Sequence, residues 1–195
     1  MPNLNSNVVI VAALGNPDKK YIKTRHNAGF IFADKVASFF KFPPFLYCEK
    51  IDGGISVGEI SGKTVILLKP ATYMNRSGLS VVKAFAAFRA EHKSLIVVHD
   101  DSDINFGKYK VKTGGGDGGH RGVRSIAAEI GTVEFARIRI GVGPAPSNLS
   151  LSDFVLANFF DEELQVINDS LSLEWNDVLI KTVSSISPSG NAHVL

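Results

Sequence analysis

The sequence is poor in cysteine and has no hydrophobic run long enough to cross a bilayer. Its single cysteine, Cys48, has no partner for an internal disulfide, which favours a reducing compartment. The apolar run from Val8 to Leu14 is too short to span a membrane, and no basic segment of a secretory signal precedes it. We therefore expect a soluble, cytoplasmic protein.

Charge of one sign is not in excess either. The formal net charge is +2, so composition alone does not indicate a nucleic-acid partner, and only the distribution of charge could. With 195 residues and 45% hydrophobic residues, the chain is long enough for one well-buried core. We expect one domain over residues 1–183, followed by a frayed tail over 184–195 that is rich in serine, proline and glycine.

Apolar strands and amphipathic helices alternate along the chain. The run Val8 to Leu14 is typical of a buried parallel strand, and the polar residues after it would lie at the sheet edge where α/β proteins bind ligands. The alternation predicts an α/β fold, a mixed and mostly parallel twisted sheet with helices on both faces. The other predicted elements are a helix from Phe30 to Phe40, a hairpin of Ile55–Ile60 and Val65–Lys69, a helix Leu79–Arg89 capped by Ser77, strands Ser94–Val98, Tyr109–Thr113 and Phe135–Val142 (the last with one solvated face), a helix Val123–Ile130 and a helix Asp161–Lys181.

Four polar loops follow these strands and are expected to meet over one crevice. They offer an imidazole at His26, carboxylates that begin at Asp100, and amides such as Asn16. A histidine paired with an aspartate suits the activation of a water molecule, because the carboxylate fixes the tautomer and the imidazole accepts the proton. No serine occupies a strand-to-helix nucleophile elbow, so a covalent nucleophile has no clear candidate. The loops are Asn16–Asn27, Tyr73–Asn75, His99–Asp103 and His120–Arg121.

Simpler interpretations of these residues remain open. His26 could be a surface or capping histidine, and Asp100, Asp101 and Asp103 could form an ordinary turn. No second histidine recurs at ligand spacing, so we predict no metal site. The glycines after residue 113 have G-x-G-x-x-G spacing, with Glu134 at the distance of a ribose contact, but the run comes late in the chain and has no Walker-type ending. The alternative is a flexible loop, whose missing Cβ atoms let the backbone move or approach a ligand.

Four motifs together resemble a known family. They read LGNPDKKYIKTRHNAGF, KPATYMNRSG, VVHDDSD and GGGDGGHRG, and the match runs from about Val8 to at least Phe160. In this order and separation they closely resemble the bacterial-type peptidyl-tRNA hydrolases. The resemblance implies a single-domain, monomeric α/β hydrolase that cleaves the ester between a peptide and the 3′-terminal ribose of tRNA, without a metal or organic cofactor.

The resemblance also implies roles for individual residues. His26 matches the general base and Asp100 the carboxylate that orients it, while Asn16 matches the residue that discriminates a blocked from a free α-amino group. Amides of Asn16 or Asn75 would stabilise the substrate carbonyl or the developing oxyanion. Substrate-binding positions match Tyr21, Tyr73 and Asn75, and the basic surface for tRNA phosphates matches Lys110, Lys112 and Arg139.

The chain departs from the family pattern at Arg121, where asparagine is usual. Arginine is always charged and has no acceptor, so we expect it to contact a phosphate or the ester oxygen instead. A non-catalytic RNA-binding protein on the same fold is the main alternative. The presence of both His26 and Asp100 favours the enzyme, because phosphate binding needs neither. A nucleotide-dependent oxidoreductase that uses the glycine-rich run is a third possibility.

Overall fold

The structure, a computed structural model, describes residues 7–186. Seven strands and six α-helices form the domain in the described part of the chain. The strands are β1 (Val8–Ala13), β2 (Leu46–Cys48), β3 (Gly53–Ile60), β4 (Lys63–Pro70), β5 (Leu95–Asn105), β6 (Tyr109–Thr113) and β7 (Ala136–Gly143). The helices are α1 (Ala28–Phe39), α2 (Ser77–Phe88), α3 (Arg121–Ile130), α4 (Leu151–Leu156), α5 (Asp161–Val166) and α6 (Ser172–Ser185).

The strands form one mixed sheet, which confirms the predicted fold class. Their order is β2-β3-β4-β1-β5-β7-β6. The central strands β4, β1, β5 and β7 pair in parallel, while β2 and β3 at one edge and β6 at the other pair antiparallel. Because parallel strands run in the same direction, β1, β5 and β7 bring their carboxyl ends, and the polar residues there, to the same edge of the sheet.

Helices cover both faces of the sheet, so β1 is buried on both sides. Val9 and Val11 pack in the core with residues of α1 and α6, such as Phe32 and Trp175. Ile10 and the alternate residues of β1 pack in a second core with residues of α2 and α3. The continuous apolar sequence of β1 follows from this double coverage, because successive side chains point to opposite faces.

The beginning of α1 lies directly against the strand ends. A Cβ atom on Gly29 would come within 2.6 Å of the backbone of Leu14 and of Val98, so only glycine allows this approach. The N–H of Leu14 also donates to the carbonyl of Val98 at 2.9 Å, which ties the two strand ends together. The 3₁₀ turn Arg25–Asn27, which precedes α1, is thereby held over the carboxyl ends of β1 and β5.

Three sequence predictions about local structure are wrong. Strand β5 does not end at Val98, because pairing with β7 continues through Asp101 and a register shift follows before Asn105. Strand β7 has no solvated face, since its residues are buried or nearly so. Ser77 is the first residue of α2 rather than its cap, and its Oγ donates to the carbonyl of Met74 at 2.9 Å.

The C-terminal helical region follows the predicted range with an interruption. Helix α5 and helix α6 are joined by a π-helical segment, Ile167–Leu171. Helix α6 continues to Ser185, two residues into the segment predicted to fray, and residues 187–195 of that segment lie outside the described residues. Within residues 7–186, no helix has the length and apolar character needed to cross a membrane.

Candidate active site

A cleft of about 440 Å³ opens at the carboxyl ends of the central strands. Side chains from all four predicted polar loops line it, together with helix α4. The predicted site residues among its lining are Asn16, Tyr21, His26, Tyr73, Asn75, Asp100 and Arg121. The expectation that these loops meet is therefore met in the structure, although Asp100 belongs to strand β5 rather than to a loop.

His26 and Asp100 both line this cleft and contact each other there. Nδ1 of His26 lies 3.0 Å from each carboxylate oxygen of Asp100, a separation of 74 residues in sequence. Since an ionised carboxylate only accepts, Nδ1 carries the proton. Among the described residues, no group hydrogen-bonds Nε2 of His26, and the side chain keeps 12% of its surface exposed. The lone pair of Nε2 is therefore left available at the cleft.

His120 is a second histidine on Asp100, and the sequence analysis, which singled out only His26, missed it. Nε2 of His120 lies 2.9 Å from Oδ1 of Asp100. The backbone N–H groups of Gly122 and Val123 donate to Nδ1 of His120 at 3.2 and 3.3 Å, so this ring caps α3. Because Nδ1 accepts, the ring proton is on Nε2 and is donated to Asp100. The nearest signal in the sequence was the position of His120 three residues before the helix predicted from Val123, which indicates a capping role but not the contact with Asp100.

These two donors determine the charge state of Asp100, whose side chain is only 3% exposed. Burial by itself would raise the pKa of Asp100, but the His120 and His26 rings more than offset that and hold it below its ordinary range. The carboxylate is consequently ionised at neutral pH. A buried negative charge with two N–H donors stabilises positive charge on the imidazole of His26.

His99 lies beneath the site and stays neutral. Its Nδ1 donates to the backbone carbonyl of Asp100 at 2.7 Å, and its ring packs edge-on against that of His120 at 4.7 Å between centroids. Burial, together with the nearby His120, lowers the pKa of His99 to about 3. Its Nε2 is buried without a hydrogen-bond partner among residues 7–186. His99 therefore supports Asp100 and His120 sterically without adding charge.

The grouping of His26, Asp100 and His120 also has the residue types of a metal site. Their ligand atoms lie within 4.8 Å of one another, so the second histidine that the sequence did not predict is present in space. However, a metal-bound histidine usually donates its other ring N–H to an acceptor. Nδ1 of His120 instead faces two N–H donors, which keeps the proton on Nε2. The hydrogen bonds favour proton transfer over metal binding here.

The glycine-rich run is held by hydrogen bonds to Arg137 and, within residues 7–186, does not have the contacts expected of a dinucleotide-binding loop. The guanidinium of the buried Arg137 donates to the carbonyls of Gly114, Gly115 and Gly116, the last two at 2.9 Å. Glu134, the predicted ribose contact, lies instead beside Gly114, with its carboxylate where a Cβ of that glycine would stand. The loop is thus fixed to strand β7, and it delivers His120 and Arg121 to the cleft.

The three predicted tRNA-binding cations lie beside the cleft rather than in it. Lys110 pairs with Arg139 across β6 and β7, and Lys112 pairs with Arg137, so these side chains share one face of the sheet. Arg139 also donates to Asp101 at 2.7 Å, and Asp101 lines the cleft. The basic strip, defined as Lys110, Lys112 and Arg139, is therefore continuous with the cleft.

Helix α4 forms the opposite wall of the cleft, with Leu151, Val155 and Leu156 in its lining. Arg25, the neighbour of His26, anchors this region. Its buried guanidinium donates to the carbonyl of Asn158 at 2.6 Å and to Glu163 at 2.7 Å, and it stacks on Phe154. The turn that carries His26 and the apolar wall of the cleft are thus held together.

Comparisons with known proteins find similar sequences and a similar structure. The family model described as peptidyl-tRNA hydrolase matches residues 10–187. A peptidyl-tRNA hydrolase of Geobacter sp. (strain M21) is 44% identical over 175 residues, covering 88% of this chain and 91% of that protein. One from Pseudothermotoga lettingae is 40% identical, covering 88% and 89%. The crystal structure of the peptidyl-tRNA hydrolase from Acinetobacter baumannii superimposes with a TM-score of 0.78 at 33% identity, covering 94% of this chain and 97% of that one.

Proposed function

The chain belongs to the peptidyl-tRNA hydrolase family and hydrolyses peptidyl-tRNA, and we propose that His26 and Asp100 assist a direct attack of water on the ester. The observation that carries this mechanism is the contact of Nδ1 of His26 with both oxygens of Asp100 at 3.0 Å. The bond cleaved joins the peptide, or an N-blocked aminoacyl group, to the 3′-terminal ribose. Its products are a free peptide and a tRNA available again for translation.

His26 acts as the general base. Nε2 takes a proton from the attacking water, and the imidazolium that forms keeps its Nδ1–H on Asp100. General-base assistance of this kind contributes about 10²–10⁴ in rate. Because His120 also donates to Asp100, the carboxylate is held in place and remains ionised throughout. The proton then passes from Nε2 to the departing ribose oxygen, which regenerates the neutral histidine.

Amide groups at the cleft stabilise the reacting carbonyl. Oδ1 of Asn16 accepts from the N–H of Met74 at 2.9 Å, so the Asn16 side chain presents its NH₂ group to the cleft. Asn75 also lines the cleft and adds a second amide. One such donor contributes roughly 3 kcal/mol to the stabilisation of a developing oxyanion. Asn16 also discriminates N-blocked substrates from free aminoacyl-tRNA in this proposal.

The remaining cleft and strip residues bind the substrate. Tyr21 and Tyr73 supply rings for the 3′-terminal nucleotide, and the hydroxyl of Tyr73 is oriented by Asp18 at 2.9 Å. The side chain of Arg121 makes no hydrogen bond or ion pair within residues 7–186, so its guanidinium is available for a substrate phosphate. The basic strip of Lys110, Lys112 and Arg139 holds tRNA phosphates beyond the cleft.

A monomer as the active form is part of this proposal, because the base, its carboxylate and the amide donors of the mechanism are all supplied by a single copy of the chain. The single cysteine and a substrate produced by translation support a cytoplasmic location. No cofactor enters this mechanism, since the attacking water, the base and the amide donors suffice for an ester.

The proposal is tested by hydrolysis of an N-acetyl-aminoacyl-tRNA in the presence of chelator, with free aminoacyl-tRNA as the comparison substrate. We expect the wild-type protein to release the blocked aminoacyl group only, and His26→Ala to lose about 10²–10⁴ in kcat. His92→Ala is the matched control, because His92 lies before β5, outside the cleft. Binding of the tRNA without release by wild-type protein would indicate a non-catalytic RNA-binding protein instead.

A further inference from the structure

The side chain of Asn27 forms two hydrogen bonds with the backbone of Asn16. Its Oδ1 accepts from the N–H of Asn16 at 2.8 Å, and its Nδ2 donates to the carbonyl of Asn16 at 3.0 Å. Asn27 is only 1% exposed, so it has no contact with bulk solvent to replace these bonds. An amide offers an acceptor and a donor on two separate atoms, whereas the ionised carboxylate of an aspartate, which has the same length, only accepts.

Asn16 is consequently fixed at three points. Asn27 holds its backbone N–H and carbonyl, and the N–H of Met74 holds its side-chain oxygen at 2.9 Å. A backbone N–H can only donate, so the Asn16 atom that faces Met74 is the oxygen. The side-chain nitrogen then points away from Met74 and has no hydrogen-bond partner in the part of the chain that the structure describes, while the residue lines the cleft.

We propose that Asn27 is a positioning residue that sets the direction in which Asn16 presents its NH₂ group to the substrate. This inference rests on the role assigned to Asn16 in the proposed function. Asn27 also follows His26 in the same 3₁₀ turn. Asn16 and His26 lie on separate segments of the chain. The two hydrogen bonds of Asn27 therefore fix the amide of Asn16 relative to the imidazole of His26. A misplacement of about 1 Å in such a group costs about 10²-fold in rate.

A merely structural role for Asn27 makes a different prediction. A buried amide that only satisfies its own hydrogen bonds would affect stability and the folded fraction, and its loss would lower activity by the same factor whatever residue stands at position 16. A positioning role acts through Asn16. Its loss therefore has no further effect once the Asn16 side chain has been removed.

The test is a double-mutant cycle on kcat for N-acetyl-aminoacyl-tRNA. Asn27→Asp keeps the acceptor for the N–H of Asn16 but loses the donor to its carbonyl. We expect it to lower kcat by about 10- to 10²-fold with little change in KM. Asn16→Ala lowers kcat by about 10²–10³-fold, and the double variant matches Asn16→Ala within about twofold. The thermal unfolding midpoint and circular dichroism establish the folded fraction of every variant.

Two further variants complete the test: one replaces Asn27→Asp if that variant does not fold, and the other is a structural control. Asn27→Ala introduces no charge, so it is measured in the same cycle in case the buried carboxylate of Asn27→Asp prevents folding. Ser80→Ala is the matched structural control, because it removes a buried hydrogen bond, from Oγ to the carbonyl of Asp52 at 2.7 Å, without touching Asn16. We expect it to lower the unfolding midpoint and to leave kcat unchanged.

The outcomes separate this inference from the proposed function. Multiplicative effects in the cycle, or wild-type kcat in folded Asn27 variants, would overturn the positioning role while leaving hydrolysis established. An Asn16→Ala variant with full activity beside an impaired Asn27 variant would also overturn it, because Asn27 would then act through another group. Failure of the wild-type protein to hydrolyse the substrate would overturn the proposed mechanism itself.

Discussion

His120 donates its Nε2–H to Oδ1 of Asp100 at 2.9 Å, the same oxygen that lies 3.0 Å from Nδ1 of His26. One buried carboxylate thus accepts hydrogen bonds from two histidines that have different roles. His26 can gain a proton during the reaction, whereas the ring of His120 already has its other nitrogen occupied by two backbone N–H groups. The pair of contacts gives the site one proton acceptor and one fixed donor.

Two substitutions at His120 separate its contact with Asp100 from its cap on α3. His120→Asn retains an oxygen that can cap the helix but does not reach Asp100, whereas His120→Ala loses both. We expect both variants to lower kcat by about tenfold, because a hydrogen bond to a charged group is lost. The unfolding free energy should fall by about 1 kcal/mol further in His120→Ala than in His120→Asn.

The pH dependence of kcat in the same two variants is an independent test of the contact between His120 and Asp100. The His120 ring helps to hold the pKa of Asp100 below its ordinary range, so its loss should raise that pKa and move the acid limb of the kcat profile to higher pH. Wild-type kcat and an unchanged profile in His120→Asn would mean that His120 only caps α3.

Acid lability should follow from the buried His99. In the folded protein its pKa is about 3, against an ordinary value of 6.5. Between these values the unfolded chain binds a proton that the folded protein does not, so the free energy of unfolding falls as the pH falls through this window. Each pH unit costs about 1.4 kcal/mol while one proton is taken up. Urea unfolding across this range measures the slope.

His99→Gln should remove most of this slope, because glutamine keeps an N–H for the carbonyl of Asp100 but does not titrate. The same substitution at His92, which is not buried, is the control and should leave the slope as it is. An identical slope in wild-type protein and His99→Gln would assign the acid lability to other groups.

Substitutions in the cleft and in the basic strip should differ in how their effect on KM depends on the length of the substrate. Lys110→Gln and Lys112→Gln should raise KM for a full-length N-acetyl-aminoacyl-tRNA, and each should reduce the salt dependence of binding by about one counterion. Neither should affect an N-acetyl-aminoacyl ester of a short 3′-terminal oligonucleotide. Arg121→Asn should raise KM for both substrates, because Arg121 lines the cleft.

Lys83→Gln is the control for these charge changes, since Lys83 is exposed on α2. Equal effects of the strip variants on the long and the short substrate would contradict the separation of the two surfaces. An unchanged KM in Arg121→Asn would mean that its guanidinium has no part in binding.

Much of the fold was predictable because its signals are local. The apolar run of β1 is buried on both faces, and the hairpin strands β3 and β4 lie where their pattern predicts. The two errors about strands have a common cause. The continuation of β5 through Asp100 and the burial of β7 depend on pairing between those strands, and Arg137 is buried only because it binds the carbonyls of the glycine-rich loop.

The sequence by itself determined the family and the chemical groups that reach the cleft, because strand ends, motif spacing and residue types are properties of short segments. Tertiary structure decided which of those groups contact and hydrogen-bond one another. Asp100 is 74 residues from His26 and 20 from His120, and only the strand order β1-β5-β7 brings them into contact. The orientation of the Asn16 amide likewise depends on Asn27 and Met74, because a hydrogen bond is directional and no sequence pattern specifies which partner each atom meets.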